Sequence, residues 1–357
     1  MSALTALAIR VRRLRSQRLD TSARHAVVPV ATVVHDTAGL QAQDERAAML
    51  GVRVRSAELH ADDVVAASHA DRTVVRAWCM RGTLYLVAAD HLRDVLAVFG
   101  PVFIHRGRRR LAQLGLDDGA CARALPRIRA LLADGQPRTR EEVARAVRSP
   151  DVPVDVDGQA PFHLIRRACL AGVAVEAGAR EGTPTYTLLE QWLPGEAVDD
   201  RAAALGRVAR RYVAAHRPAD SDDFAAWSGL PASDVARAWD HVVDDGDHAR
   251  PGDTGSGVVR LLPAFDGWFL GYRTRDHAID PAHWPAVHPG GGILRPTVVV
   301  DGTAVATWRL DRSRRPSRVV VMPFTEVPDG VTAPLTAEAA DVGRFLDLDV
   351  ALDVLAS

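Results

Sequence analysis

Three helical stretches followed by two short strands, twice over in one chain, leave few folds open. In the stretch running from 116 to 197, "CARALPRIRALLADG", "TREEVARAV" and "FHLIRRACLAGV" each carry apolar residues at helical spacing. In the last of these, Phe162, Ile165, Ala168 and Cys169 face inward and Arg166 and Arg167 outward. "VAVEAGAREGTPTYTLL" then reads as a hairpin with a glycine-rich tip. Residues 1–115 repeat the order. "LTALAIRVRRLRSQRL" puts Leu4, Leu7, Ala8, Val11 and Leu14 on one helical face, and "PVATVVHDTAG" is a second helix stopped by Gly39. Asp44 is placed to cap a third, "ERAAMLGVRVRS", and a fourth starts near Ala61. "VVRAWCMRGTLYLVA" follows as two strands around Arg81–Gly82. Helices closed by a β-hairpin wing are the winged-helix variant of helix-turn-helix.

A third segment, 198–250, holds "RAAALGRVARRYVAAH" and a helix-turn-helix pattern joined at Gly229–Leu230–Pro231. After Arg250 the texture changes. "PGDTGSG" is linker-like, "GVVRLLPAFDGWFLGY" begins as a strand, and "GGILRPTVVVDGTAVATWRL" is a hairpin with Asp301–Gly302 as its turn. "SRVVVMPF" adds a strand, and "TAEAADVGRFLDLDVALDVL" is expected to close the chain as a helix. Phe265, Trp268, Phe269, Tyr272 and Trp308 read as core rather than a base-stacking platform. The expected fold is α+β and mainly α: about three tandem winged-helix units (1–115, 116–197, 198–250) forming a concave scaffold, then a small β-rich domain at 251–357.

The charges narrow the function. The formal net charge of the 357 residues is −1, so there is no global basic field. Arginines nevertheless crowd 10–18 and 106–110, while acids gather at Asp199–Asp200, Asp222–Asp223, Asp244–Asp247 and the C-terminal tail. Segregated arginine patches suit a phosphate backbone, and a solvated helix face is the plain alternative. The chain contains no lysine, so no lysine side chain can form a Schiff base. Cys79, Cys121 and Cys169 are far apart and read as buried thiols. His277, His283 and His288 lack common metal-ligand spacing, and neither a metal nor a cofactor is expected. No apolar run nears the ~20 residues that span a bilayer. Arginines follow the short apolar N-terminal stretch, the reverse of a signal peptide, so a cytoplasmic protein is expected.

"GLQAQDERAA", "RAWCMRGTLYLV", "LLPAFDGWFLGYRTRD" and "RPTVVVDGTAVATWRL" together resemble the winged-helix DNA glycosylases that unhook interstrand crosslinks, the AlkZ-like and YcaQ-like proteins. The resemblance runs through nearly the whole chain in order. It implies tandem winged helices with a β-rich C-terminal domain, and a catalytic glutamine motif near the N-terminus. The motif is Gln–apolar–Gln in the AlkZ-like branch and Gln–apolar–Asp in the YcaQ-like branch; Gln41–Ala42–Gln43 matches the former.

The resemblance implies hydrolysis of the N-glycosidic bond of an N7-alkylguanine, with crosslink unhooking, in repair or in self-resistance to a genotoxin. Gln41 and Gln43 are the expected catalytic residues and Asp44 a supporting one. In an extended segment residues two apart face one side, whereas in a helix they sit ~200° apart. Function therefore predicts that the motif lies at a break between helices. Without lysine, a monofunctional enzyme that leaves an abasic site is expected. Arg106, Arg108, Arg109, Arg110, Arg166, Arg167 and Arg295 are the candidate contacts to double-stranded DNA, with "HPGGGILRP" a candidate groove probe. A monomer is expected. The competing reading is a non-enzymatic winged-helix DNA-binding protein or regulator.

Overall fold

The computed structural model describes residues 6–196, 198, 200–242, 257–326 and 330–356. The expected linker at 251–257 lies outside this set except for Gly257, as do Leu4 and the acidic run at 244–247.

After two N-terminal helices, α1 (Ala6–Ser16) and α2 (Thr21–Arg24), the first unit runs α3 (Val30–Asp36), β1 (Leu40–Gln41), α4 (Glu45–Arg53), α5 (Ala61–His69), β2 (Val74–Trp78) and β3 (Leu84–Ala88). Its sheet order is β1-β3-β2. Beyond α6 (Leu92–Gln113), the second unit repeats the order: α7 (Asp118–Leu132), β4 (Arg138–Thr139), α8 (Arg140–Val147), α9 (Ala160–Leu170), β5 (Ala174–Arg180) and β6 (Thr183–Leu188), with sheet order β4-β6-β5. In each, the short early strand pairs with the second arm of the hairpin. Local chemistry supports both units. Asp44 accepts from the Ala47 N–H at 3.1 Å and caps α4. Thr139 and Glu142 form a capping box at the start of α8. Glu181 and Gly182, at the tip of the second hairpin, both take positive φ, as a two-residue hairpin loop requires.

The 22-residue α6 runs unbroken through Gly100 and Pro101, where the sequence offers a helix stop. Packing accounts for it: a Cβ on Gly100 would lie 2.4 Å from the Leu170 carbonyl oxygen, so the end of α9 rests directly on the α6 backbone. The short helix α10 (Leu189–Trp192) follows the second hairpin, and then come α11 (Arg201–His216), α12 (Ser221–Ser228) and α13 (Ala232–Trp239). The turn between α12 and α13 begins at Gly229 in the left-handed conformation. Helix α1 does not stay with the first unit. Arg13 donates to the Pro218 carbonyl at 3.0 Å, and Gln17 donates to the Tyr272 hydroxyl at 3.0 Å.

The C-terminal part is a five-stranded sheet in the order β11-β10-β9-β8-β7. Strands β7 (Val259–Leu262), β8 (Thr297–Val300), β9 (Thr303–Asp311) and β10 (Ser317–Pro323) are antiparallel neighbours, with α14 (Gly267–Leu270) and α15 (Trp284–Val287) inserted after β7. The expected turn at Asp301–Gly302 is present, both residues at positive φ. Trp268, Phe269, Tyr272 and Trp308 are buried and Phe265 half-buried, as the core reading requires. One expectation fails. The chain closes with a strand, not a helix: α16 (Thr332–Leu346) ends at Asp347 in the left-handed conformation, and β11 (Val350–Val354) pairs parallel to β10. The tail "VALDV" alternates apolar positions with period two, and Val350 and Leu352 pack on the sheet core.

Candidate active site and nucleic-acid interface

The Gln41–Ala42–Gln43 motif spans the end of a strand and the approach to a helix. Leu40 and Gln41 pair antiparallel with Leu86 and Tyr85, and the Ala42 N–H donates to the Leu84 carbonyl at 2.8 Å. Leu40 and Ala42 are buried in one core cluster with Leu86. Strand alternation therefore sends Gln41 away from that core, and Gln43 follows in the bend before α4. Gln43 is exposed and Gln41 half-buried. The Gln41 Oε1 is itself buried and has no hydrogen-bond partner among the described residues. A buried carbonyl oxygen left unpaired calls for a water or a substrate group. Gly39, at φ +100°, turns the chain out of α3 into this strand, where a Cβ would press on the Leu86 carbonyl.

Four residues that sequence reasoning passed over hold the motif. Arg76, on β2, donates from Nε to the Ala42 carbonyl at 2.9 Å and from Nη1 to the Glu176 carboxylate, on β5, at 2.8 Å. Burial pushes the Glu176 carboxyl up, with Arg76 pulling it back. Tyr85, beside Gln41 across the ladder, accepts from Arg81 Nη2, and burial pushes its hydroxyl up to about 12. Arg81 also donates to the Trp227 carbonyl at 3.2 Å and to that of Leu270 at 3.1 Å. It thereby joins the first hairpin to α12 and α14. The signal in the sequence was a charged residue at a half-buried strand position in "VVRAW" and another in "VAVEAG". A cavity of about 30 Å³ borders Ala42 and is lined in part by Glu45, Arg76, Glu176 and Leu86; it has room for about one water.

The AlkZ-like DNA glycosylase family model matches residues 34–345, which take in the motif, both hairpins and most of the C-terminal sheet. The chain belongs to the AlkZ-like DNA glycosylase family. It is also 25% identical over 346 residues to the interstrand DNA cross-link repair glycosylase of Streptomyces sahachiroi, covering 87% of this chain and 89% of that protein. The solved structure of Streptomyces sahachiroi DNA glycosylase AlkZ shares the fold over the full length of both chains, with a TM-score of 0.80 and 22% sequence identity.

In this AlkZ-like chain the candidate DNA-contact arginines divide by what already engages them. Arg106 and Arg109 are exposed on α6; Arg106 lies 5.1 Å from the Phe103 ring centroid. Arg108 and Arg110 are exposed too, but Arg108 pairs with Asp118 and Arg110 donates to the Gln159 side chain. Arg167 is mostly buried and meets the other oxygen of Asp118 at 3.2 Å. Arg166 is half-buried, donates to the Gly82 carbonyl at 3.2 Å and sits over Trp78. It braces the two units against each other. Arg295 is exposed and donates to the Ala286 carbonyl at 3.0 Å. Just before it, Gly290, Gly291 and Gly292 all take positive φ with open space around them, and Ile293 is 52% exposed. Among the described residues no helix is long and apolar enough to cross a membrane.

Proposed function

We propose that this protein is a monofunctional DNA glycosylase that hydrolyses the N-glycosidic bond of N7-alkylguanine in duplex DNA, including guanines joined in interstrand crosslinks. Family membership supports the glycosylase class. The observation that carries the reaction is Gln41 at a strand–helix junction with a buried, unpaired carbonyl oxygen, with Gln43 exposed in the same junction.

Alkylation at N7 makes the base cationic. When the C1′–N9 bond breaks, its electron pair neutralises the base, and no general acid is needed at the leaving group. What remains is to place a water on the opposite face of the sugar and to stabilise an oxocarbenium-like carbon. Amide oxygens can orient that water and present dipoles to the developing charge. The water oxygen bonds C1′ and its proton passes to solvent. Asp44 caps α4 with one carboxylate oxygen and leaves a negative charge beside the motif.

The repeated helix–strand–helix–helix–hairpin order, with the early strand on the second hairpin arm, supports reading both units as winged helices. Exposed Arg106 and Arg109, with Arg108 and Arg110, then meet phosphates, while Arg166 and Arg167 act from behind by holding the units together. A bulky crosslinked base fits poorly with flipping into a tight pocket, which favours recognition of the lesion within the duplex. The glycine loop ending in Ile293 and Arg295 is suited to probing a groove.

The test is incubation with N7-alkylated and with crosslinked duplex. Wild type should release base and leave an abasic site that breaks only after alkali. Gln41→Ala with Gln43→Ala should lower excision by about a hundredfold or more while DNA affinity stays within a few-fold. Full activity in the double variant removes the assignment of the glutamines. Binding without base release by wild type favours a regulator. Trapping of a covalent protein–DNA adduct by borohydride contradicts the monofunctional reading.

A further inference from the structure

We propose that His35, Asp90 and His91 form a binding site for one divalent transition-metal ion, of the kind Zn²⁺ represents. His35 lies near the end of α3, and Asp90 and His91 lie in the 3₁₀ turn that joins β3 to α6. One donor atom from each lies within 4.8 Å of the others, and the two imidazole ring centroids are 4.4 Å apart. Zinc–ligand bonds of about 2.0–2.1 Å put neighbouring donors roughly 3.3 Å apart in a tetrahedral site. His35 and Asp90 are exposed and can rotate inward to close the gap.

Two further observations point to a ligand. His91 is 4% exposed, and its Nε2 is buried without a hydrogen-bond partner, 3.6 Å from the Asp90 carboxylate. An imidazole nitrogen left bare in this way is costly unless something binds it. The second observation concerns His35. Its Nδ1 is 3.1 Å from the Asp36 carboxylate, an arrangement that holds a histidine in the tautomer with a free Nε2 lone pair.

The surrounding charges do not oppose a cation. Asp94 pairs with Arg207 at 2.6 Å and with Arg211 at 2.9 Å, and Asp36 pairs with Arg18 at 2.9 Å. Three arginines are thus set against Asp36, Asp90 and Asp94. The three donors leave positions open to water. An ion here would tie the end of α3 to the start of α6. These are the segments on either side of the β1–β3 ladder that carries Gln41, so its role is bracing. Gly39 and His91 line the same small cavity.

The proposal is independent of the glycosylase reading and is tested without DNA. The purified full-length chain is treated with a chelator, then titrated with Zn²⁺ against a chromophoric competitor, with the thermal midpoint followed in parallel. One ion per chain should bind and raise the midpoint. His35→Ala and Asp90→Asn, both at exposed positions, should each weaken binding by about tenfold or more, and Asp36→Asn by about 10–100-fold. His91→Ala alters a buried residue and is read only where circular dichroism shows the fold intact. Absence of stoichiometric binding by wild type, or undiminished binding in a His35→Ala/Asp90→Asn double variant, overturns the site.

Discussion

Ala42 has no reactive group, yet its carbonyl is held by Arg76 Nε at 2.9 Å, and the same guanidinium reaches Glu176 on the second unit. The planar fork spreads these contacts over Nε and Nη1, a span that a compact lysine ammonium does not reproduce. Arg76 is therefore a positioning residue for the two glutamines. Arg76→Lys should lower the excision rate constant by about 10–100-fold, as for a misplacement on the order of 1 Å, with DNA affinity and KM nearly unchanged. A loss confined to KM would contradict it. Glu176 adds a pH signature. Because burial raises its pKa, the folded chain binds this proton more tightly than the unfolded chain does. Ionising the pair thus costs stability as pH rises through the raised value, and positioning is what the charge offers in return. On acidification Glu176 takes up a proton above the ordinary glutamate range. Wild-type excision should then fall toward the level of Glu176→Gln, which should itself stay flat over that limb. An unchanged acid limb in Glu176→Gln would remove Glu176 from the positioning scheme. The glutamine motif was legible in the sequence through the resemblance to the AlkZ-like proteins, with Gly39 and Asp44 marking the helix ends around it. Arg76 and Glu176 were not, because they lie a hundred residues apart in sequence and meet only across two hairpins.

Among the elements, α6 shows packing overruling a local signal. Glycine and proline both weaken a helix interior, yet α6 runs through Gly100 and Pro101, and α9 rests where Gly100 lacks a Cβ. Gly100→Ala sets two effects against each other. Helix propensity gains about 1 kcal/mol, while a Cβ 2.4 Å from the Leu170 carbonyl oxygen forces backbone apart at a cost of about 1–3 kcal/mol. The clash should win by about 1 kcal/mol, seen as a lower urea midpoint with an unchanged slope. A higher midpoint would show that α9 retracts freely. The closing strand teaches the converse. "TAEAADVGRFLDLDVALDVL" reads as one closing helix, but Asp347 in the left-handed conformation ends α16 and β10 supplies a free edge. An edge to pair with is a tertiary fact.

Across the whole molecule, stability should depend on two histidines far from the motif. His216 stacks on Tyr212 with ring centroids 4.5 Å apart, and His277 places Nε2 3.2 Å from the Trp268 carbonyl. Burial pushes both down to about 3. Their folded values lie below the ordinary histidine value of 6.5, so the unfolded chain binds more protons at acid pH. Their contribution is complete above pH 6.5 and is lost as pH falls toward 3. The thermal midpoint should fall steeply over that window, and less steeply in His277→Gln. Equal slopes in the two proteins would show that His277 does not titrate on unfolding. These rings lie where α11, α14 and the C-terminal aromatics converge, the region to which α1 is also anchored by Arg13 and Gln17.

The sequence by itself determined both hairpins, the Asp301–Gly302 turn, the cap on α4, the buried aromatics and the helix ends at Gly39 and Asp44 on either side of Gln41–Ala42–Gln43. These follow from periodicity, turn chemistry and capping, which act over a few residues. Only the tertiary structure decided that Arg166 and Arg167 are occupied by Gly82 and Asp118, that Arg81 links three parts of the chain, and that His35 meets His91. Such contacts depend on which surfaces pack, and packing energy is summed over residues that no local pattern connects.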